Sequence, residues 1–250
     1  MTKLLPKWLT NLPIAHRGLH DETSPENSMS AFRKALEYRY AIETDVHLSA
    51  DGTLVLFHDD SLERMTGCTK KVEELRLSEL KQLFLAGTGE QIPTLRELLD
   101  ATHGQVPLLI EIKSHPNVGI LEEKLQSALR DYSGEVAIQS FDPLPLQWFR
   151  KHAPQFPRGM LITDMRRMPL PGWQKILLQN CRLRALVHPH FISCDKAYLS
   201  SRFAAKMHKK YPILMWTTTS CQTEVQHQGQ FDNIIFEGYL PDPAPRSQCR

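Results

Sequence analysis

Residues 14–60 read IAHRGLHDETSPENSMSAFRKALEYRYAIETDVHLSADGTLVLFHDD. Apolar runs at 14–16 and 41–46 flank a helical pattern of apolar positions, so strand, helix and strand follow one another. Side chains at positions i and i+2 of a strand share one face, so Glu43 and Asp45 project together from the second run. Two adjacent carboxylates are costly to bury unless a cation or strong donors lie between them. The stretch therefore predicts the opening of an α/β fold and a polar site on its strands.

The strand candidates along the whole chain predict a closed barrel. Only seven residues separate Val46 from Leu54, whereas a parallel crossover needs a dozen or more, so the run 54–58 is predicted to return antiparallel as a hairpin arm. The remaining strand candidates are 14–16, 41–46, 108–112, 135–139, 158–162, 191–194, 213–217 and 233–236. Eight parallel strands separated by helical stretches predict an α/β fold of the TIM (β/α)8 type.

Capping signals place the helices between these strands. Ser24 and Pro25 are typical of a helix start, so a helix is predicted from Pro25 to about Tyr38. The capping-box pattern Thr94-Leu95-Arg96-Glu97 predicts another start. Further helices are predicted near 120–131, 143–152, 173–183, 197–209 and 221–228. Residues from about 61 to 104 exceed one crossover and are interpreted as a small insertion on the active-site face of the barrel, too short to bury a core of its own.

The composition is that of one globular domain, expected to span 1–250. Apolar residues make up 41% and charged residues 23% of the chain, a balance that supports a sizeable core. The net charge of +2 favours neither nucleic acid nor a membrane surface as a partner. The five cysteines include no C-x-x-C pair, which argues against a disulfide framework and a zinc site. Without a signal-peptide pattern or an apolar run of ~18 residues, no membrane span and a cytoplasmic location are expected.

A second apolar strand ends in Glu111, with Lys113 on the same face. Three carboxylates, Glu43, Asp45 and Glu111, are therefore predicted to converge at one rim of the barrel. Such oxygen ligands suit Mg²⁺ or Ca²⁺ without choosing between them. The alternative is that these carboxylates are ion-paired to Arg17 and Lys113 with no metal at all.

Two histidines and an arginine complete the predicted constellation. The planar guanidinium of Arg17 suits phosphate. His16 ends the first strand, and the hairpin arm brings His58 back toward the carboxylates. Histidine has an ordinary pKa of ~6.5, which suits acid and base roles near neutrality, and an acid, a base and a metal together suit cleavage of a phosphodiester. The other nine histidines match no site pattern and are assigned to surface or packing positions.

These motifs resemble, in order and spacing, the signature of the glycerophosphodiester phosphodiesterase family, of the cytoplasmic bacterial type. The matching residues run from about Ile14 to about Glu237 and comprise His16-Arg17-Gly18, Pro25-Glu26-Asn27-Ser28, Glu43-Thr44-Asp45-Val46, Asp51-Gly52, His58-Asp59, Glu111-Ile112-Lys113, Gln139-Ser140-Phe141-Asp142 and Trp216-Thr217. The resemblance implies a TIM barrel with His16 and His58 as catalytic residues. It also implies that Trp216 joins Arg17 and Lys113 in binding a glycerophosphodiester, which is hydrolysed to sn-glycerol 3-phosphate and an alcohol.

Two other functions fit parts of the same pattern. A lysophospholipase-D-like phosphodiesterase would need an exposed apolar patch beside the barrel mouth, for which the candidates are Met65, Leu83, Phe84, Leu85 and Met168. A non-catalytic barrel that binds phosphate or metal would not need two paired histidines. The pattern does not choose the alcohol, the metal, the acid among the two histidines or the oligomeric state. Attack by water and attack by a substrate hydroxyl to give a cyclic phosphate are both compatible with it.

Overall fold

The computed structural model describes residues 5–115, 117–164 and 186–242. The strands in these ranges are β1 (Ile14–Ala15), β2 (Ala41–Leu48), β3 (Leu54–Leu56), β4 (Leu108–Ile112), β5 (Val136–Ser140), β6 (Arg158–Ile162), β7 (Phe191–Asp195), β8 (Ile213–Thr218) and β9 (Asn233–Phe236). The helices are α1 (Trp8–Asn11), α2 (Met29–Glu37), α3 (Glu63–Thr66), α4 (Leu77–Leu80), α5 (Leu95–Thr102), α6 (Ile120–Ala128), α7 (Pro143–His152), α8 (Arg202–His208) and α9 (Cys221–Gln226). An N-terminal unit comprises Ile14–Val136, and a C-terminal unit comprises the described residues of Met1–Pro13 and Ala137–Arg250.

β2 is the central strand of the N-terminal unit and is buried at all eight positions. It pairs in parallel with β1 and with β4, and the second pairing sets Asp45 opposite Glu111. β3 pairs with β2 in the opposite direction, with Leu56 opposite Val46. The antiparallel pairing confirms the hairpin arm that the short spacing between the two runs predicted.

α2 begins later than the sequence predicted. The start with Ser24 as cap is wrong, because α2 begins at Met29 and Ser28 is its cap. Asn27, just before this cap, has a φ of 54°, in the left-handed region. Its N–H donates to the carbonyl oxygen of Arg17 at 2.9 Å. A residue in this conformation interrupts a right-handed helix, so the Pro-Glu-Asn segment forms a turn instead of the first helical turn.

The insertion contributes to a buried apolar cluster that it shares with the hairpin arm. The members of this insertion cluster are Val55, Phe57, Leu62, Met65, Val72, Leu75, Leu80, Leu85 and Ile92. Val55 and Phe57 belong to the hairpin arm, and the other members come from the insertion. The arm therefore completes a core that the short helices α3 and α4 do not enclose alone. Next to this cluster, the predicted helix start at Thr94 is confirmed by α5.

The C-terminal unit contains five parallel strands, β5 to β9, each paired with the next. The side-chain amide of Asn233 on β9 donates to the carbonyl oxygens of Leu9 and Leu12 at 3.1 and 2.7 Å, which ties the end of α1 to the sheet. On β6, a Cβ atom at Gly159 would lie 2.0 Å from the ring of Phe191. Glycine is therefore required there for the ring to pack over the strand.

The eight parallel strands, three in the N-terminal unit and five in the C-terminal unit, alternate with helices and form a TIM barrel. The predicted fold class and strand positions are confirmed. α7 coincides with its prediction, while the helix predicted near 173–183 lies outside the described residues. Within the ranges described, no helix is long and apolar enough to cross a membrane. The assignment of the chain to a single domain stays a prediction.

Candidate functional site

Three buried carboxylates lie together on β2 and β4. Glu43 and Asp45 are each 1% exposed, and Glu111 is 7% exposed. One carboxylate oxygen from each of the three lies within 4.8 Å of the other two. Strand periodicity turns the first two to one face, and the parallel register of β2 and β4 brings Glu111 beside them. This acidic cluster of Glu43, Asp45 and Glu111 can hold a metal ion.

Lys113, which follows β4, compensates part of the charge of the acidic cluster. Its Nζ lies 2.7 Å from Oδ1 of Asp45 and 2.5 Å from Oε1 of Glu111. Burial alone would raise the pKa of Asp45, but neighbouring positive charges, above all that of Lys113, hold it well below its usual range. Asp45 is therefore held in its ionised form.

The pKa of Glu43 shifts in the opposite direction from that of Asp45. Burial and the charges of Asp45 and Glu111 raise the pKa of Glu43 well above its usual range. The backbone N–H of Arg17 donates to Oε2 of Glu43 at 2.9 Å, which opposes this shift without reversing it. A divalent cation among these oxygens would relieve the repulsion. The hard oxygen donors and their unbalanced charge therefore fit Mg²⁺ or Ca²⁺.

Arg17 lies beside the acidic cluster in a constrained turn. Its φ is 53°, its Nη1 donates to Oε1 of Glu26 at 2.8 Å, and its Nε lies 3.6 Å from Oδ2 of Asp45. The next residue, Gly18, also has positive φ, and a Cβ there would lie 2.9 Å from the backbone of Ala31. Glycine thus lets the turn pack closely against α2.

Asn27 is a site residue that sequence reasoning missed. Its Nδ2 donates to Oδ2 of Asp45 at 2.9 Å, and its Oδ1 accepts the hydroxyl proton of Thr44 at 2.7 Å. Its only signal in the sequence is the Pro-Glu-Asn motif, which lies in a segment that predicts a helix start. Asparagine suits this position because it tolerates the left-handed conformation and carries both a donor and an acceptor.

His58 is held by the carboxylate of the residue that follows it. Its Nδ1 lies 2.6 Å from Oδ1 of Asp59. A carboxylate only accepts, so Nδ1 carries the proton of this hydrogen bond and Nε2 takes no part in it. Burial, with the charge of Lys113, lowers the pKa of His58. Behind it, burial lowers the pKa of His47 to about 4, which agrees with the packing role assigned to that histidine.

The surroundings of His16 and of Trp216 are described within their own units. His16 directly follows β1, and its ring centroid lies 6.5 Å from that of His20. Trp216 lies on β8, where its ring meets Phe141 edge-on at 5.7 Å. The indole Nε1 is buried and has no hydrogen-bond partner among the residues described. The catalytic role of His16 and the substrate contact of Trp216 stay predictions.

A family model described as the glycerophosphoryl diester phosphodiesterase family matches residues 16–231. The chain belongs to this family. Among curated members, a glycerophosphodiester phosphodiesterase of Caldanaerobacter subterraneus subsp. tengcongensis is 38% identical over 61% of the chain and 67% of its own length. An uncharacterized protein of Mycoplasma genitalium, MG293, is 39% identical over 92% of both chains. The first two curated relatives are matched over 64% and 67% of their lengths.

The fold of this glycerophosphodiester phosphodiesterase family member is similar to that of solved structures. A phosphodiesterase of Oleispira antarctica, solved in complex with the product sn-glycerol-3-phosphate, superposes with a TM-score of 0.75. The two sequences are 24% identical, and the match covers 90% of this chain and 93% of the other. This likeness supports the TIM barrel described above.

Proposed function

We propose that this chain hydrolyses glycerophosphodiesters to sn-glycerol 3-phosphate and an alcohol, with a divalent metal and with His16 and His58 as acid and base. The observation that carries the proposal is the buried acidic cluster, with Arg17 and Lys113 beside it and His58 held by Asp59. Family membership supports the reaction class, and the relative that was solved with sn-glycerol-3-phosphate supports the product.

The charges around the acidic cluster suit an anion that becomes more negative as it reacts. A phosphodiester carries one negative charge, and a second develops as the phosphorus becomes five-coordinate. Arg17 and Lys113 provide fixed positive charge for both states. Glu43, Asp45 and Glu111 would hold Mg²⁺ or Ca²⁺, which supplies Lewis-acid chemistry when bound.

The histidines would move protons at the two oxygens whose bonds to phosphorus change. One accepts the proton of the attacking hydroxyl, and the other donates a proton to the departing alkoxide. The hydrogen bond from His58 Nδ1 to Asp59 directs Nε2 to this task. Water and a neighbouring substrate hydroxyl both suit the attacking role, and the proposal leaves the acid and the base unassigned between His16 and His58.

The two rival functions have less support. A lysophospholipase-D-like enzyme would need an exposed apolar patch, and two of the residues predicted to form it are wrong. Met65 and Leu85 are buried in the insertion cluster. Phe84 is exposed, and Met168 lies outside the described residues. Binding of phosphate alone does not require the hydrogen bond to Asp59 that orients His58. We propose neither a nucleic-acid partner nor a membrane span, and a cytoplasmic location stays a prediction.

A turnover assay with glycerophosphocholine and glycerophosphoethanolamine, coupled to detection of glycerol 3-phosphate, tests the proposal. Hydrolysis should disappear on chelation and return with Mg²⁺ or Ca²⁺. Titration calorimetry gives a second readout, because Glu43→Gln should weaken binding of the ion without any substrate present. Full activity after exhaustive chelation would overturn the metal requirement. Metal binding without turnover of either substrate would favour the non-catalytic barrel.

A further inference from the structure

Arg64, in α3 of the insertion, links two acidic residues that belong to other segments. Its Nη2 and Nη1 donate to Oε1 and Oε2 of Glu26 at 2.6 and 3.1 Å. Its Nε donates to Oδ2 of Asp59 at 2.6 Å. One planar guanidinium therefore joins the turn before α2 to the end of the hairpin arm.

Each of these two acidic residues holds one member of the candidate site with its remaining contacts. Asp59 accepts from Nδ1 of His58 at 2.6 Å through the oxygen that Arg64 leaves free. Glu26 accepts from Nη1 of Arg17 at 2.8 Å. The chain of contacts thus runs from Arg17 through Glu26, Arg64 and Asp59 to His58.

We propose that Arg64 is a positioning residue that fixes the proton-transfer histidine through Asp59 and the phosphate-binding arginine through Glu26. The inference rests on the proposed phosphodiesterase function. Arg64 does not act on the substrate itself, because all three guanidinium nitrogens are engaged by Glu26 and Asp59, and Nη1 also lies 3.1 Å from Sδ of Met65.

Electrostatics support the same assignment. Burial opposes ionisation of Glu26 and Asp59, but the hydrogen bonds and charge of Arg64, together with those of Arg17 at Glu26 and of His58 at Asp59, outweigh it and lower the pKa of both. Both carboxylates therefore stay ionised and accept hydrogen bonds from Arg17 and His58. Lysine cannot replace this link, because a single ammonium lacks the planar fork that reaches two carboxylates at once. Half-exposed ion pairs add little to stability, so the main effect of losing Arg64 is expected on geometry.

Double-mutant cycles in the metal-loaded enzyme test this role. Arg64→Ala should lower kcat roughly 10–100-fold and raise KM. Arg64→Lys should recover only a small part of the lost kcat and of the KM change. In an Asp59→Asn background, Arg64→Ala should lower kcat by less than about twofold, because the route to His58 is already broken. In a Glu26→Gln background, its effect on KM should vanish. Equal losses in every background would overturn the proposal and leave Arg64 with a merely structural role.

The matched control is Arg96→Ala, which removes an 80% exposed arginine paired with Asp100 at 2.9 Å. It should leave kcat and KM unchanged. If Arg96→Ala and Arg64→Ala behave alike, the positioning role is excluded.

A measurement without turnover separates this proposal from the proposed function. The proton on Nδ1 of His58, followed by NMR and assigned by its loss in His58→Gln, should be visible in the wild-type chain. Asp59→Asn should abolish or shift this signal, and Arg64→Ala should do the same to a smaller extent. An unchanged signal in Arg64→Ala would overturn the positioning role even in a chain that hydrolyses glycerophosphodiesters. A changed signal in a chain without turnover would leave that role standing and remove the proposed function.

Discussion

Glu43 and Asp45 lie two residues apart on one strand, yet their surroundings shift their pKa values in opposite directions. Asp45 bonds to Lys113, whereas Glu43 faces two other carboxylates. The metal-free site therefore retains a repulsion that opposes folding, since a buried charge without a matching partner is destabilising.

Replacement of Glu43 by glutamine should stabilise the metal-free protein. The pKa of Glu43 in the folded state lies above its unfolded value of ~4.3, so its contribution to stability falls as the pH rises from that value. Glu43→Gln should therefore raise the free energy of unfolding near neutral pH, and the gain should vanish below about pH 4. Urea unfolding with a chelator measures this. The exposed Glu22→Gln should show no such gain, and a net loss for Glu43→Gln at neutral pH would contradict the account.

The two histidines should respond to substitution differently from Arg17. His16→Ala and His58→Ala should each lower kcat by ~10²–10⁴-fold, the usual contribution of a placed acid or base. Arg17→Ala should also raise KM, because its charge acts on ground and transition states. A nitrophenolate leaving group needs no proton, so it should rescue only the variant that lacks the acid. Steady-state kinetics with both substrates decides, and identical behaviour of both histidine variants would remove the acid–base pair.

Strand periodicity predicted where the carboxylates converge, because the spacing of Glu43 and Asp45 fixes their shared face and β4 is a parallel neighbour. Arg64 could not be found in this way. It is 38 residues from Glu26 and lies in the four-residue helix α3 of an otherwise irregular insertion, whose path depends on the insertion cluster. Asn27 was missed because a positive φ leaves little trace in sequence beyond the residue type that tolerates it.

The capping box that begins α5 gives a prediction about pH. Burial opposes ionisation of Glu97, but hydrogen bonds from Lys81 and Thr94 outweigh it and lower its pKa. Its stabilising contribution is therefore present above its unfolded pKa of ~4.3 and is lost as the pH falls through the folded-state value. Glu97→Gln should destabilise near neutral pH by about 0.5–2 kcal/mol, and by less in acid.

Thermal unfolding at several pH values measures this loss. Glu123→Gln is the matched control, because Glu123 is exposed in the first turn of α6. A pH-independent loss for Glu97→Gln would show that ionisation of Glu97 is not the cause.

The insertion cluster should behave as a true core. Leu80 is fully buried within it, so Leu80→Ala should lower the free energy of unfolding by about 2–5 kcal/mol. The exposed Val225→Ala should cost far less. Denaturant unfolding compares the two, and equal effects would show that the insertion packs loosely.

Sequence patterns succeeded where periodicity or capping governs and failed where irregular packing does. The eight strands and α7 follow from apolar runs and caps. The insertion cluster draws most of its members from short helices, turns and loops, whose apolar residues have no regular spacing. Its closure by Val55 and Phe57 is a tertiary contact that no local pattern encodes.

Ion binding at the acidic cluster should stabilise the chain by mass action. Mg²⁺ or Ca²⁺ at 100 times its dissociation constant should add about 2.7 kcal/mol to the free energy of unfolding, provided that the unfolded chain does not bind the ion. Glu43→Gln should reduce this increment, so the order of stability between wild type and variant should reverse on adding the ion. Denaturant unfolding across an ion titration tests this, and an increment of equal size in both proteins would place the ion elsewhere.

The chain segments that connect β2 to its partners β3 and β4 differ in length, which should set the order in which the two pairings form during folding. Five residues separate β2 from β3, but 59 separate it from β4. Closing the longer loop costs about 2 kcal/mol more entropy, so we expect the hairpin to form early and Glu111 to join the site late. The acidic cluster should therefore be complete only after the main barrier to folding has been crossed. Bound ion should prolong the lifetime of the native state, measured as a slower unfolding rate, and leave the refolding rate almost unchanged.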